Sequence, residues 1–158
     1  MCTLGFNYST SPMEHFLKLL EYNFWANDLF ITRITAQEPI PTEIQRQVSH
    51  LLSAHQIWLA RINGRGSLPS VWETIDPETW EGVNIELYNE STDLVKSISL
   101  GKSFSYKNSH GTPFQNTLED LLSHILHHSS HHRAQVALLM RQHNILPPQS
   151  DYIFYLRK

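Results

Sequence analysis

The sequence predicts an all-α fold: a four-helix bundle with a small β-hairpin ahead of the last long helix. Three observations point there. Four stretches carry apolar residues at helical spacing, prolines and glycines punctuate the joints between them, and 158 residues suit one domain built around one core. Ser11-Pro12 opens the first helix, because serine can cap it and proline fits its first turn. Phe16, Leu19, Leu20, Phe24, Leu29 and Ile31 then recur on one face as far as Thr35. "QEPIPTE" stops that pattern, since Pro39 and Pro41 remove backbone donors and disfavour helix in the residues before them.

A second helix runs from about Thr42 to Asn63, with Ile44, Val48, Leu51, Leu52, Trp58, Leu59 and Ile62 on its apolar side and the glycines of "NGRGS" at its end. Residues 64–80 form an irregular connection whose tryptophans, Trp72 and Trp80, are expected to pack over the end of the bundle. The third helix, from Thr79 or Glu81 to about Ser99, is intrinsically weaker because of Gly82 and its β-branched residues. "KSFSYKNSHGTPFQN" alternates on both sides of an "NSHG" turn, as a hairpin does. Thr117-Leu-Glu-Asp reads as a capping box with Asp in place of Glu, and the helix it starts continues to about His143, where Pro147-Pro148 forbids extension. The aromatic tail "SDYIFYLRK" is expected to fold back onto the bundle, so residues 1–158 make a single domain.

With 41% apolar and 17% charged residues the chain is composed like a globular domain and not like a disordered one. A net charge of -3 and the absence of any Lys/Arg run argue against nucleic acid as a partner. No apolar stretch approaches the roughly 20 residues of a membrane span, no signal-peptide layout is visible, and the lone Cys2 can form no internal disulfide. These features predict a cytoplasmic protein that engages no membrane.

The chemistry is concentrated in "HHSSHHRAQ", residues 127–135, with His124 just upstream. Helical residues four apart are about 40° apart around the axis and one turn along it, so imidazoles at such positions can share an ion. His124 with His128, His127 with His131, and His128 with His132 all meet that condition, and spacing does not choose among them. A catalytic ion usually takes three protein ligands and keeps an open position. The third ligand must come from another helix, and His50 and His55 are candidates, though about 140° apart around theirs; Glu21 is another. The same composition also suits a solvated polar face. No glutamate separates the paired histidines as in HExxH, and neither a glycine-rich phosphate loop nor a serine nucleophile elbow is present.

Four separated segments, in order, carry a resemblance: "YNFWAN" at 22–27, "HLLSAHQIWLARING" at 50–64, "HILHHSSHHRAQVALLMRQ" at 124–142 and "PPQSDYIFYLR" at 147–157. Together they resemble the DinB/YfiT-like four-helix-bundle proteins, on the DinB side. The resemblance implies a divalent metal, zinc or nickel first, held by His50 on the second helix and by the pair His128 and His132. His124, His127 and His131 would then line the pocket or the surface, with His55 a neighbour. Two positions depart from the family pattern: His55 stands where many relatives are acidic, and Ala134 replaces a frequent glycine.

A three-histidine ion lowers the pKa of bound water or thiol and polarises carbonyls. The resemblance therefore implies a metal-dependent enzyme acting on a small molecule, either a low-molecular-weight-thiol S-transferase or a hydrolase, and a homodimer. Arg61 and Arg133 flank the ligand helices and are candidates for an anionic substrate or thiol cofactor; a salt bridge to Asp151 or to another carboxylate of the bundle is the structural alternative for each. Asp151, Tyr155 and Arg157 are expected to lock the tail, and Trp25 and Asn27 to serve packing and interhelical hydrogen bonding. A non-catalytic, stress-related dimeric metal-binding protein is the alternative function. A DNA-associated role, which the family's name suggests, is opposed by the charge balance.

Overall fold

A computed structural model of the chain describes residues 10–66, 70–108 and 110–158. Its elements run α1 (Pro12–Thr35), α2 (Thr42–Ile62), a 3-10 turn (Pro77–Thr79), α3 (Trp80–Ser97), β1 (Ser103–Lys107), β2 (Pro113–Thr117), α4 (Leu118–Gln142) and α5 (Tyr152–Tyr155). The four long helices form the bundle. α2 lies along α4 and α1 along α3, while α1–α4 and α2–α3 contacts close the remaining sides.

The predicted capping chemistry is present at both helices where it was read. Ser11 accepts from the Glu14 backbone N–H at 3.2 Å while the Glu14 carboxylate accepts from the Ser11 N–H at 2.8 Å. Thr117 and Asp120 form the same reciprocal pair at the start of α4, at 3.1 and 3.0 Å, so aspartate does serve in the box. The hairpin completes that helix start: the Leu118 and Glu119 N–H groups, orphans of a first turn, donate to the Lys102 and Leu100 carbonyls. β1 and β2 pair antiparallel with Tyr106 opposite Phe114, and Phe104 and Tyr106 lie on the half-buried face of β1. The predicted "NSHG" turn includes Ser109, which lies outside the described residues.

Ile34, Ile44, Leu52, Leu59, Trp80, Leu118, Leu122, Ile125, Val136 and Met140 are almost completely shielded from solvent and form the centre of the core. Each such aliphatic side chain is worth about 1.5–3 kcal/mol in burial. Polar contacts fix how α1 and α3 meet. Asn27 donates to Asn84 at 3.1 Å, Asn84 donates to the Phe24 carbonyl at 3.2 Å, and all three groups are buried or partly so.

The tail folds back as expected, by a short helix that the sequence pattern did not announce. Tyr155 is buried against Trp25 and Tyr22, with ring centroids 5.6 and 5.8 Å away, and Tyr22 donates to the Ser150 carbonyl at 3.0 Å. Asp151 and Arg157, also expected to lock the tail, are exposed and form no ion pair among the described residues; aromatic packing holds the segment. No helix among the described residues is long and apolar enough to cross a membrane.

Candidate metal centre

Side by side, α2 and α4 bring His50, His128 and His132 into one cluster. One potential ligand atom from each lies within 4.8 Å of the other two, and among the described residues this is the cluster of histidine, cysteine or carboxylate groups that meets the condition. Ring centroids are 4.4 Å apart for His50 and His132, 5.3 Å for His50 and His128, and 4.3 Å for His128 and His132. Zinc–nitrogen bonds of about 2.0–2.1 Å put tetrahedral donors roughly 3.3 Å apart, so small ring rotations bring these atoms into range.

Two of the rings are already oriented. His50 Nδ1 is 2.8 Å from the Val71 carbonyl, which can only accept, so the proton sits on Nδ1 and the lone pair on Nε2. His132 Nδ1 is 3.1 Å from the amide oxygen of Gln47, one turn before His50 on α2. Hydrogen bonds of this kind fix both tautomer and ring plane in metal sites. Burial, followed by the charges of neighbouring histidines, pushes His128 down to about 4; burial and the charges of His50 and His131 push His132 down to about 4. Both rings are therefore neutral at pH 7, the form that binds a metal. The donor set, three imidazoles converging from two helices, fits a divalent ion.

Trp72 corrects the expectation that the tryptophans of the connection serve only the end of the bundle. Trp80 does, being fully buried with its indole N–H on the Ile75 carbonyl at 3.2 Å. Trp72 instead stacks on His50, centroids 3.9 Å apart and planes 17° apart, with the Arg46 guanidinium on the same indole at 4.8 Å. Trp72, Gln47 and the Val71 carbonyl were all missed from sequence. Gln47 had a signal, since it stands three residues from His50 and so shares its helix face; a backbone carbonyl and a loop indole leave none.

The remaining histidines separate by position. His124 is exposed, edge-on to Trp58 at 4.8 Å and 5.5 Å from His128. Burial, Arg61 and His127 lower its pKa. His131 is exposed, 5.1 Å from His132, and pairs with Gln135. His127 faces away, into a groove of about 540 Å³ shared with α1 residues such as His15 and Leu19. His55 turns toward α3, where its Nε2–H donates to Ser91 Oγ at 2.9 Å; burial, then the charge of His128, pushes it down to about 3.

The two arginines also separate. Arg133 is buried and directs its Nη1 at Asn23 (2.5 Å) and Asn27 (2.8 Å), and its Nη2 at Ser130 (3.0 Å). It borders a groove of about 770 Å³ under the C-terminal segment, away from the three histidines. Its position, about 100° around α4 from His132, points it into the α1 side of the bundle. Arg61 stays on the ligand-bearing face, over Trp58 at 4.5 Å and Tyr106 at 5.6 Å. Neither arginine has the expected carboxylate partner within ion-pair distance among the described residues.

A sequence model of the DinB family matches residues 9–158. The chain belongs to the DinB family. It is also 27% identical to Protein DinB of Bacillus subtilis (strain 168) over 165 aligned positions, covering 88% of this chain and 92% of that protein. No solved structure matches it at a significant level. Membership of the DinB family and the three-histidine cluster together fit a metal-binding protein.

Proposed function

We propose that this DinB-family protein is a divalent-metal-dependent enzyme acting on a small molecule, with His50, His128 and His132 holding zinc or nickel. The observation that carries the reading is the convergence of three imidazoles from two helices with no fourth protein ligand among the described residues. Three ligands are the usual complement of a catalytic site, whereas a structural ion is normally enclosed by four. When bound, such an ion supplies Lewis acidity and activates water or a thiol at neutral pH.

The chain's own residues supply the rest. The Val71 carbonyl and Gln47 hold the proton of His50 and of His132 on Nδ1, leaving the opposite nitrogen of each ring free. Trp72 covers the outer face of His50 and excludes water there. No carboxylate joins the cluster, so the site has no built-in general base of that kind among the described residues. A thiol is far more acidic than water, so a bound ion brings it to its anionic form with less help from a general base; low-molecular-weight-thiol transfer is therefore the preferred reaction over hydrolysis. We place the protein in the cytoplasm, as a homodimer.

The test is turnover by metal-loaded protein in two parallel assays, a thiol with an electrophilic acceptor and an activated ester in water, each repeated with His132→Ala. Metal-dependent thiol conjugation that His132→Ala lacks is the expected result. A protein that holds its ion yet exceeds the His132→Ala background in neither assay is a metal-binding protein and not an enzyme of these classes.

A further inference from the structure

The three-histidine cluster grades from buried to exposed along α4. His132 is buried at 8% exposure, His128 is half-buried and His124, one turn further along α4, is exposed. Trp72, itself largely exposed, stacks on the His50 side of the cluster. Toward the start of α4 the cluster is continued by His124 and, facing it from α2, Trp58. Arg61 stands at that end. Its guanidinium lies over the Trp58 indole and near the Tyr106 ring, and its Nε–H is buried with no hydrogen-bond partner. Tyr106 is itself fixed by its hydroxyl, which donates to Asn116 on the facing strand at 2.9 Å, so the hairpin builds one wall of this box.

A guanidinium laid over an indole face presents a planar fork, the shape that recognises carboxylate or phosphate in a bidentate way. Its ion-pairing capacity is unspent, because the ion pairs among the described residues are Arg65 with Glu90, His143 with Glu43 and Lys158 with Glu21. Arg133, the other candidate, is occupied by Asn23, Asn27 and Ser130. Arg61 lies eleven residues, about three helical turns, beyond His50 on α2, and its side chain reaches back over Trp58, which touches His124 and through it His128, so the cation is on the order of 10–15 Å from the ligand nitrogens.

We infer that the substrate is an elongated anion, one end at the three-histidine centre and a carboxylate or phosphate at the other, held by Arg61 beside Trp58 and Tyr106. This rests on the metal reading above. Arg61 is then a substrate-binding residue that selects for length and charge, and the hairpin's function is to shape its pocket.

The experiment uses cobalt-loaded full-length protein and two probes, suberate and octanoate, which share a carbon chain and differ in the second carboxylate. Each is titrated while the cobalt absorption spectrum is followed, in wild type, Arg61→Met and Arg61→Gln. Wild type is expected to bind suberate at least tenfold more tightly than octanoate with a perturbed cobalt spectrum. Both variants are expected to take up cobalt as wild type does and to lose that preference. Equal suberate-to-octanoate ratios in all three proteins overturn the inference while leaving the metal centre intact, as does suberate binding that leaves the spectrum unmoved. Failure of wild type to take up cobalt overturns both. Equal cobalt uptake is the check that each variant is folded, and two substitutions keep the comparison available if one fails it.

Discussion

His55 is a buried imidazole held neutral, and its cost should appear as acid sensitivity. Its folded-state pKa is pushed down to about 3, chiefly by burial, while an unfolded histidine titrates near 6.5. Between those values the unfolded chain binds a proton that the folded chain refuses, so stability rises with pH across that window and is lost as pH falls. From about 6.5 down to pH 5 is roughly 1.5 pH units, and at about 1.36 kcal/mol per unit the loss is about 2 kcal/mol. Any folded-state value below about 4 gives nearly the same figure at pH 5. The assay is urea unfolding at pH 7 and pH 5 of metal-free wild type and His55→Gln, whose amide can still donate to Ser91. His124, His128 and His132 also titrate low, but they remain in both proteins, so the difference between the two pH dependences isolates His55. Wild type is expected to lose about 2 kcal/mol more than the variant. Parallel pH dependences would refute the claim that His55 is buried neutral.

Arg133→Met should destabilise the fold by about 2–6 kcal/mol, because it strands the buried side-chain oxygens of Asn23 and Asn27 at about 1–3 kcal/mol each, and it should leave metal content unchanged. Loss of metal without loss of stability would return Arg133 to the ligand site. Thr117→Ala removes the cap of α4 and should cost about 1 kcal/mol by thermal or urea unfolding; no change would mean that the Lys102 and Leu100 carbonyls suffice. Trp72→Ala uncovers His50 and should weaken metal affinity by about 10–100-fold, the range seen when groups supporting a ligand are removed. Competition with a chelating indicator measures it, and wild-type affinity would show that the indole does not support the site.

The bundle was legible because its joints are chemically loud: Ser11-Pro12, the Pro39 and Pro41 break, and the Thr117–Asp120 box each leave a side-chain signature tied to a backbone need. The α5 turn was not legible, since four residues are too few to show a period and Tyr155 is held by rings from α1 distant in sequence. Spacing alone left three histidine pairs on α4 and two histidines on α2 open, and only the family resemblance singled out His50, His128 and His132. The structure brings those three together because the choice depends on how α2 and α4 are rotated against each other, a tertiary property. Arg61 and Arg133 looked equivalent along the chain for the same reason. Helical spacing separates them only once the ligands are known: Arg61 is about 20° around α2 from His50, beside Trp58, whereas Arg133 is about 100° around α4 from His132, in the asparagine cluster.

The most direct measurement is elemental analysis of untagged protein purified without metal-affinity resin, as wild type, His50→Ala, His132→Ala and His127→Ala. About one divalent ion per chain in wild type and His127→Ala, lost from the other two, is the result that three converging imidazoles predict. Wild type that holds no ion even after reconstitution, or His50→Ala and His132→Ala that keep theirs, would contradict the three-histidine centre.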